Sequence, residues 1–164
     1  MDDVEALIAG ARARLTAAGA PREALGRWRG RRFVGIPLAP NVVPAGSAWH
    51  LGVLLIGPED VFATGEIVRA RPEVRRGFAA ESQRRRADVA AAASRGGFAD
   101  GQVVHLGWER LDLAAVGRGE ASGPLRPGTD GPEVRWSARG GWRPLAAYLD
   151  ERIALLLDPP SGAT

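Results

Sequence analysis

Residues 49–70 read WHLGVLLIGPEDVFATGEIVRA and contain the strongest strand pattern of the chain. Trp49 to Ile56 is an almost unbroken apolar run, which is typical of a strand buried in the centre of a sheet. Residues 57–60 (Gly-Pro-Glu-Asp) have the composition of a turn. Residues 61–70 are again rich in β-branched and apolar side chains. The stretch therefore predicts a β-hairpin with a four-residue loop.

Three helices are predicted around this hairpin. The first ends near Gly19 and carries an apolar stripe at helical spacing, formed by Val4, Leu7, Ile8, Ala11 and Leu15. The second covers residues 78–95, which are rich in Ala and Arg and are followed by two glycines. The third begins after Pro144 and ends before the prolines at 159–160.

Further short strands are predicted at residues 27–36, 102–108 and 134–136. The sum is an α+β fold, with a mostly antiparallel sheet of about four to five strands and three helices. A length of 164 residues favours one domain over residues 1–164. Residues 117–132, with five Gly and three Pro, are predicted to form an irregular loop that is either functional or mobile. Residues 158–164 are predicted to form a frayed tail.

The composition excludes several kinds of chemistry. All 22 basic residues are Arg, and there is no Lys or Cys. A GC-rich genome imposes this usage, so the Arg content is a weak sign of nucleic-acid binding. The absence of Cys excludes a disulfide framework, a thiolate nucleophile and a Cys-ligated metal centre. An acidic start and the lack of an apolar run of about 20 residues favour a cytoplasmic protein with no membrane partner.

Four short motifs resemble parts of one protein family. They are residues 49–55, 63–66 (Ala-Thr-Gly-Glu), 76–83 and 95–98 (Arg-Gly-Gly-Phe). Over most of its length the chain resembles a family of small actinobacterial proteins without an established activity. Some members are labelled glutaminases, but the residues here do not support that label. Serine-dependent glutaminases use a Ser-x-x-Lys element and amidotransferase-type glutaminases a Cys nucleophile, and this chain has no Lys or Cys. The resemblance therefore implies an actinobacterial source for the protein but no catalytic mechanism.

His50, His105 and Glu66 are the candidate catalytic residues. Histidine is the usual general base and metal ligand, and both histidines fall in predicted strands. Alternation along the strand places Glu66 between Phe62 and Val68 on one face, where partial desolvation would suit a general acid or base. If these strands were neighbours, two His and one carboxylate could meet as a metal site, although their spacing matches no recognised ligand pattern. The alternative is that each His is a structural residue bonded to a backbone carbonyl.

Two arginines and two tryptophans are candidates for binding a ligand or anion. Arg32 or Arg69 could hold an anionic substrate group beside Glu66, or could form a structural ion pair with it. Trp49 and Trp108 could line a pocket, with core packing as the alternative. No phosphate-binding loop or dinucleotide fingerprint is present, so we expect no cofactor, and we assign no metal.

Two blocks of the sequence are strongly basic. Residues 12–32 hold seven Arg against one Glu, and residues 69–86 hold seven Arg against two Glu. In the first block, Arg27-Trp28-Arg29 and Arg31-Arg32-Phe33 could combine phosphate contacts with base stacking. In the second block, the consecutive arginines at 84–86 fan around a helix at about 100° per residue and cannot face one phosphate track. Nucleic-acid binding is therefore kept as an alternative and is not the first expectation.

No recognisable enzyme motif is present, and we expect a cytoplasmic accessory protein that binds a small ligand or a partner. One alternative is a small hydrolase or amidase-like enzyme that uses a Glu–His acid–base pair. The other is an Arg-mediated nucleic-acid-binding protein. Residues 155–157 (Leu-Leu-Leu) make the last helix apolar on more than one face, which favours deep burial or a homodimer contact.

Overall fold

The computed structural model describes residues 3–74, 77 and 80–162. These residues form four helices and ten strands. The helices are α1 (Val4–Ala17), α2 (Glu81–Arg95), α3 (Leu113–Gly117) and α4 (Leu145–Leu157). The strands are β1 (Glu23–Phe33), β2 (Ile36–Leu51), β3 (Leu54–Ile56), β4 (Val61–Ala63), β5 (Glu66–Arg69), β6 (Val103–Leu106), β7 (Glu109–Arg110), β8 (Leu125–Gly128), β9 (Gly131–Arg135) and β10 (Trp142–Pro144). The α+β class predicted from the sequence is confirmed.

The predicted numbers of strands and helices are too low. The strands follow the order β5-β6-β1-β2-β3-β4-β7 in one sheet and β10-β9-β8 in the other. The prediction of about four to five strands fails because the segments 49–56 and 61–70, taken as single strands, are each divided, and because further short strands such as β8 form where none was predicted. The fourth helix, α3, is only five residues long, which is too short to show a helical period. β1 and β6 pair in parallel, and the other registered pairs are antiparallel.

The chain divides into two compact units. The first unit comprises Met1–Arg22, Ala48–Thr64 and Glu109–Thr164, and the second comprises Glu23–Ser47 and Gly65–Trp108. The division falls within β2, so this strand contributes residues to both units. Each unit is assembled from separated stretches of sequence, and no linker marks the division. The single domain stays a prediction.

In the first unit, α1 supplies one side of the hydrophobic core. The predicted apolar stripe is confirmed, with Val4, Ile8, Ala11 and Leu15 all buried. The Asp3 carboxylate accepts a hydrogen bond from the Glu5 amide and caps the helix. The core is completed by residues of the strands and of α4, among them Trp49, Leu54, Leu145, Tyr148 and Ile153.

In the second unit, α2 packs against the strands through small side chains. The shared core is formed by helix residues Val89, Ala92 and Ala93 with strand residues Val42, Val104 and Leu106. A Cβ at Gly96, just after the helix, would collide with the carbonyl of Val42, so only glycine fits this end of α2. The helix predicted over 78–95 begins at Glu81, and positions 78 and 79 lie outside the described residues.

The apolar run of residues 49–56 is a hairpin and not the single strand that we predicted. β2 ends at Leu51, and β3 folds back so that His50 lies opposite Leu55. The chain reverses at Gly52, which has a φ of 66°, a conformation that favours glycine. The Tyr148 hydroxyl donates to the Leu51 carbonyl and accepts from the Val53 amide, both at 2.8 Å. This buried hydroxyl holds both sides of the turn.

The second half of residues 49–70 is also divided. The turn predicted at residues 57–60 is confirmed, because the Gly57 amide donates to the Asp60 carbonyl at 2.9 Å. β4 ends at Ala63, however, and the Thr64 amide donates to the Val53 carbonyl. β5 starts only at Glu66 and pairs with β6. The expected continuous strand over 61–70 is therefore wrong, and so is the alternation that placed Glu66 beside Phe62.

Residues 117–132 are irregular only in part, between the end of α3 and the start of β8. From there on, β8 and β9 form a hairpin, with Leu125 opposite Val134, and both side chains are fully buried. Near the turn, Pro127 lies opposite Pro132. The Gly and Pro content of this segment thus reflects a tight hairpin that contributes to the core of the first unit.

α4 confirms the third predicted helix, with Leu145, Tyr148, Leu149 and Ile153 buried. Leu155 and Leu157 are exposed near its end. Residues 158–162 follow it as an exposed segment, and residues 163 and 164 lie outside the described part of the chain. Within the described part, no helix has both the length and the apolar character needed to cross a membrane.

We expect Gly52→Ala to lower the free energy of unfolding by about 2 kcal/mol or more. The new Cβ would displace the Tyr148 hydroxyl from the turn, and the backbone would be strained. Gly10→Ala is the matched control, because Gly10 lies exposed in α1 with open space around it. It should be neutral or stabilise the protein by up to about 1 kcal/mol. Urea unfolding followed by circular dichroism measures both; equal effects would contradict the role given to this turn.

Candidate functional site

The structure does not bring Glu66 and His105 together. In the β5–β6 pair, Glu66 lies opposite Leu106, whereas His105 lies opposite Ile67. Residues adjacent along a strand point to opposite faces, so the two side chains lie on opposite sides of the sheet. Glu66 is also exposed, and the desolvation expected for it is not found. The predicted pair of Glu66 with His105 is therefore not formed.

His105 is instead hydrogen-bonded to Glu23. Leu25 of β1 lies opposite His105 of β6, so Glu23, two residues earlier, projects from the same face. The Glu23 carboxylate contacts the His105 Nε2 atom. His105 is fully buried, and the Glu23 side chain is 35% exposed. Sequence reasoning counted Glu23 only as a charge, because the parallel pairing of β1 with β6 has no signal in the sequence.

His50 belongs to the first unit and lies near the end of β2. It is half-buried, and its Nε2 atom donates to the Gly52 carbonyl at 3.0 Å. This contact is of the kind that the structural alternative describes, and the catalytic role of His50 stays a prediction.

The two candidate tryptophans also bond to backbone carbonyls. Trp49 is buried, and its Nε1 donates to the Ala20 carbonyl at 2.9 Å. The Arg22 guanidinium covers its ring at 4.3 Å from the centroid. The geometry of Trp49 is thus that of a core residue. Trp108 is half-buried and donates to the Gly26 carbonyl at 3.0 Å.

The two candidate arginines are both exposed. Arg69 lies in β5, and its Nη1 atom reaches the Gly101 carbonyl at 3.4 Å. Arg32 lies near the end of β1. Among the described residues, neither arginine forms an ion pair with Glu66, so the structural ion pair considered for this carboxylate is not found.

The outer part of the β1–β2 hairpin is an exposed feature of the second unit. We call residues 27–40 the arm; every one of them is exposed. The strands are joined at Val34 and Gly35, both with positive φ (47° and 77°), as a tight two-residue hairpin turn requires. The arm displays large apolar side chains to solvent: Trp28 (47% exposed), Phe33 (67%), Val34 (85%), Ile36 (63%) and Leu38 (41%).

The arm also carries a basic groove. This groove has a volume of about 450 Å³ and is lined by Arg29 to Phe33 with Leu38, Asn41 and Val43. No Asp or Glu occurs between Glu23 and Glu59, so the arm itself carries no carboxylate that could balance its positive charge. Arg29, Arg31 and Arg32 make no ion pair with any residue that the structure describes. The surface therefore combines free guanidinium groups with exposed aromatic rings.

A second cavity, of about 460 Å³, lies in the first unit and has the opposite character. Its lining includes the carboxylates of Glu5, Glu59, Asp60 and Asp112. Arg110 in its lining is paired with Asp60 at 2.6 Å. Among the residues that the structure describes, no buried polar group without a partner lines this cavity, so we do not treat it as the functional site.

Comparison with protein-family models, curated proteins and solved structures finds no match for this chain. The resemblance to an actinobacterial family therefore stays a hypothesis, and the candidate function rests on geometry alone.

We expect Glu23→Gln to lower the free energy of unfolding by about 1–2 kcal/mol, because a charge-assisted hydrogen bond to buried His105 is weakened. Glu66→Gln is the matched control, and its effect should stay within about 0.5 kcal/mol because Glu66 is exposed. Urea unfolding measures both variants. A neutral or stabilising Glu23→Gln would show that the pair does not hold the fold.

Proposed function

We propose that this protein is an accessory binding protein, and that the arm is the surface that takes a macromolecular partner with negative charge. The observation that carries the proposal is the display of five large apolar side chains and four arginines on one exposed hairpin. Contiguous exposed apolar surface on a soluble domain commonly marks an interaction site.

The arm contributes little to the folding of either unit. Neither hydrophobic core includes a described residue from positions 27–40. Trp28 and Phe33 therefore keep about half or more of their surface exposed in the free protein, and packing in a hydrophobic core does not account for them. Binding would bury them, at about 25 cal/mol for each Å² of apolar surface removed from water.

The charge of the arm indicates the sign of its partner. Arg29, Arg31 and Arg32 line the groove, and the arm itself contains no carboxylate to pair with them. Arginine forms paired hydrogen bonds with carboxylates and phosphates, so an anionic surface would satisfy these groups. The composition of the genome explains why the cations are Arg, but it does not explain their placement beside exposed aromatic rings.

Acid–base or metal chemistry at His105 is the second candidate, with Glu23 in the place that we first gave to Glu66. The hydrogen bond between the two side chains favours it, because a carboxylate orients an imidazole for proton transfer or metal binding. Native mass spectrometry of gently purified protein tests this function. If the pair binds a metal, we expect the wild type to show the extra mass of that metal and His105→Ala to lack it. A wild-type mass equal to that of the bare chain would contradict a resident metal.

For the arm, we expect the variant Arg29→Gln/Arg31→Gln/Arg32→Gln to elute from immobilised heparin at clearly lower salt than the wild type, because its groove no longer contacts the polyanion. The matched control is Arg118→Gln/Arg135→Gln/Arg139→Gln, which removes the same charge from exposed positions of the first unit. Its elution should change less. Equal shifts for the two variants would mean that heparin responds to total charge and would contradict the proposal.

A further inference from the structure

We propose that the partner of the arm is single-stranded nucleic acid, with the arginines on the phosphates and the exposed aromatic rings stacked on bases. This inference rests on the proposed function, since it names the partner class of the same surface. It makes the chain a sequence-tolerant binder of single strands.

The first support is a regular row of side chains along β1. Alternation places Arg27, Arg29, Arg31 and Phe33 on one face of the strand, about 6.6 Å apart. Evenly spaced cations fit a polymer with one negative charge per repeat. An acidic protein surface has no such regular spacing of charge. A protein partner would also normally carry some cations, which would pair with carboxylates of the arm, but the arm contains no carboxylate.

The second support is the exposed aromatic ring at one end of the row. Phe33 lines the groove with Arg29 and Arg31 and is 67% exposed. At the other end, the half-buried ring of Trp108 is already covered by the Arg27 guanidinium, 5.8 Å from its centroid, so the proposal places stacking on Phe33. Proteins that hold single strands combine a basic groove with aromatic platforms of this kind.

The exposed face of an aromatic ring also favours a single-stranded over a double-stranded nucleic acid. Bases in a duplex are stacked on one another, and their faces are closed to a side chain unless the duplex is kinked. In a single strand the base faces are free, and each stacked base contributes to affinity without regard to its identity. Exposed Phe33, on the same face of β1 as Arg29 and Arg31, therefore favours the single strand.

Fluorescence anisotropy of a labelled oligouridylate of about 15 nucleotides, titrated with the full chain at several salt concentrations, tests the inference. Arg29→Gln/Arg31→Gln/Arg32→Gln should weaken binding at least about tenfold and reduce the slope of log K against log salt by about 2, or about 0.7 for each phosphate that an arginine no longer neutralises. Phe33→Ala should weaken binding by about tenfold with an unchanged slope, because stacking is not electrostatic. The control variant of Arg118, Arg135 and Arg139 should stay within about twofold of the wild type.

Two competitor probes separate failure of the inference from failure of the proposed function. A duplex of the same length that binds as tightly as the single strand would overturn the choice of single strands. If poly-L-glutamate displaces the RNA at equal charge and Phe33→Ala has no effect on RNA binding, the assignment of nucleic acid as the partner is overturned. The proposed function would remain, because the arm would still bind anionic partners. If heparin and RNA both ignore the arm arginines, both proposals fail.

Discussion

The hydroxyl group of Tyr148 is the contact on which the path of the chain depends. It is fully buried and bonds to the backbone on both sides of Gly52, so it fixes the residue at which β2 ends. The reversal allows residues 54–56 to pair back on β2 and β4 to pair on β3. If β2 instead ran on to Ile56, the core of the first unit would lack these two short strands. One side chain of α4 thus converts an apolar run into the centre of an antiparallel sheet.

Local sequence patterns predicted the elements that depend on local forces. The stripe of α1, the turn at 57–60 and the position of α4 follow from side-chain period and turn chemistry. The break at Gly52 could not be predicted in the same way, because it requires Tyr148, far along the chain, to bond with Leu51 and Val53. The hairpin within 117–132 was missed for a related reason. Its Gly and Pro content is typical of loops, and only the pairing of Leu125 with Val134 shows that the segment is ordered.

Part of the candidate site was predictable from the sequence, and strand pairing explains why the rest was not. The alternation of Arg and aromatic residues at 27–33 is visible in the sequence, but its exposure on a long hairpin is not. Glu66 and His105 are on adjacent strands, yet the register puts them on opposite faces. Glu23 reaches His105 only because β1 and β6 run parallel. A one-residue change of register between β5 and β6 would put Glu66 on the face of His105, and a one-residue change between β1 and β6 would move Glu23 off that face. Register is set by contacts distant in sequence.

We propose that the arm binds a partner and does not serve the fold. Hydrogen–deuterium exchange of the full chain, with and without oligouridylate, is the sharpest test because it reports each segment separately. We expect the RNA to slow exchange in peptides covering residues 27–41 and to leave peptides of α4 unchanged. Slower exchange in α2 or in the first unit, with no change in residues 27–41, would contradict this proposal.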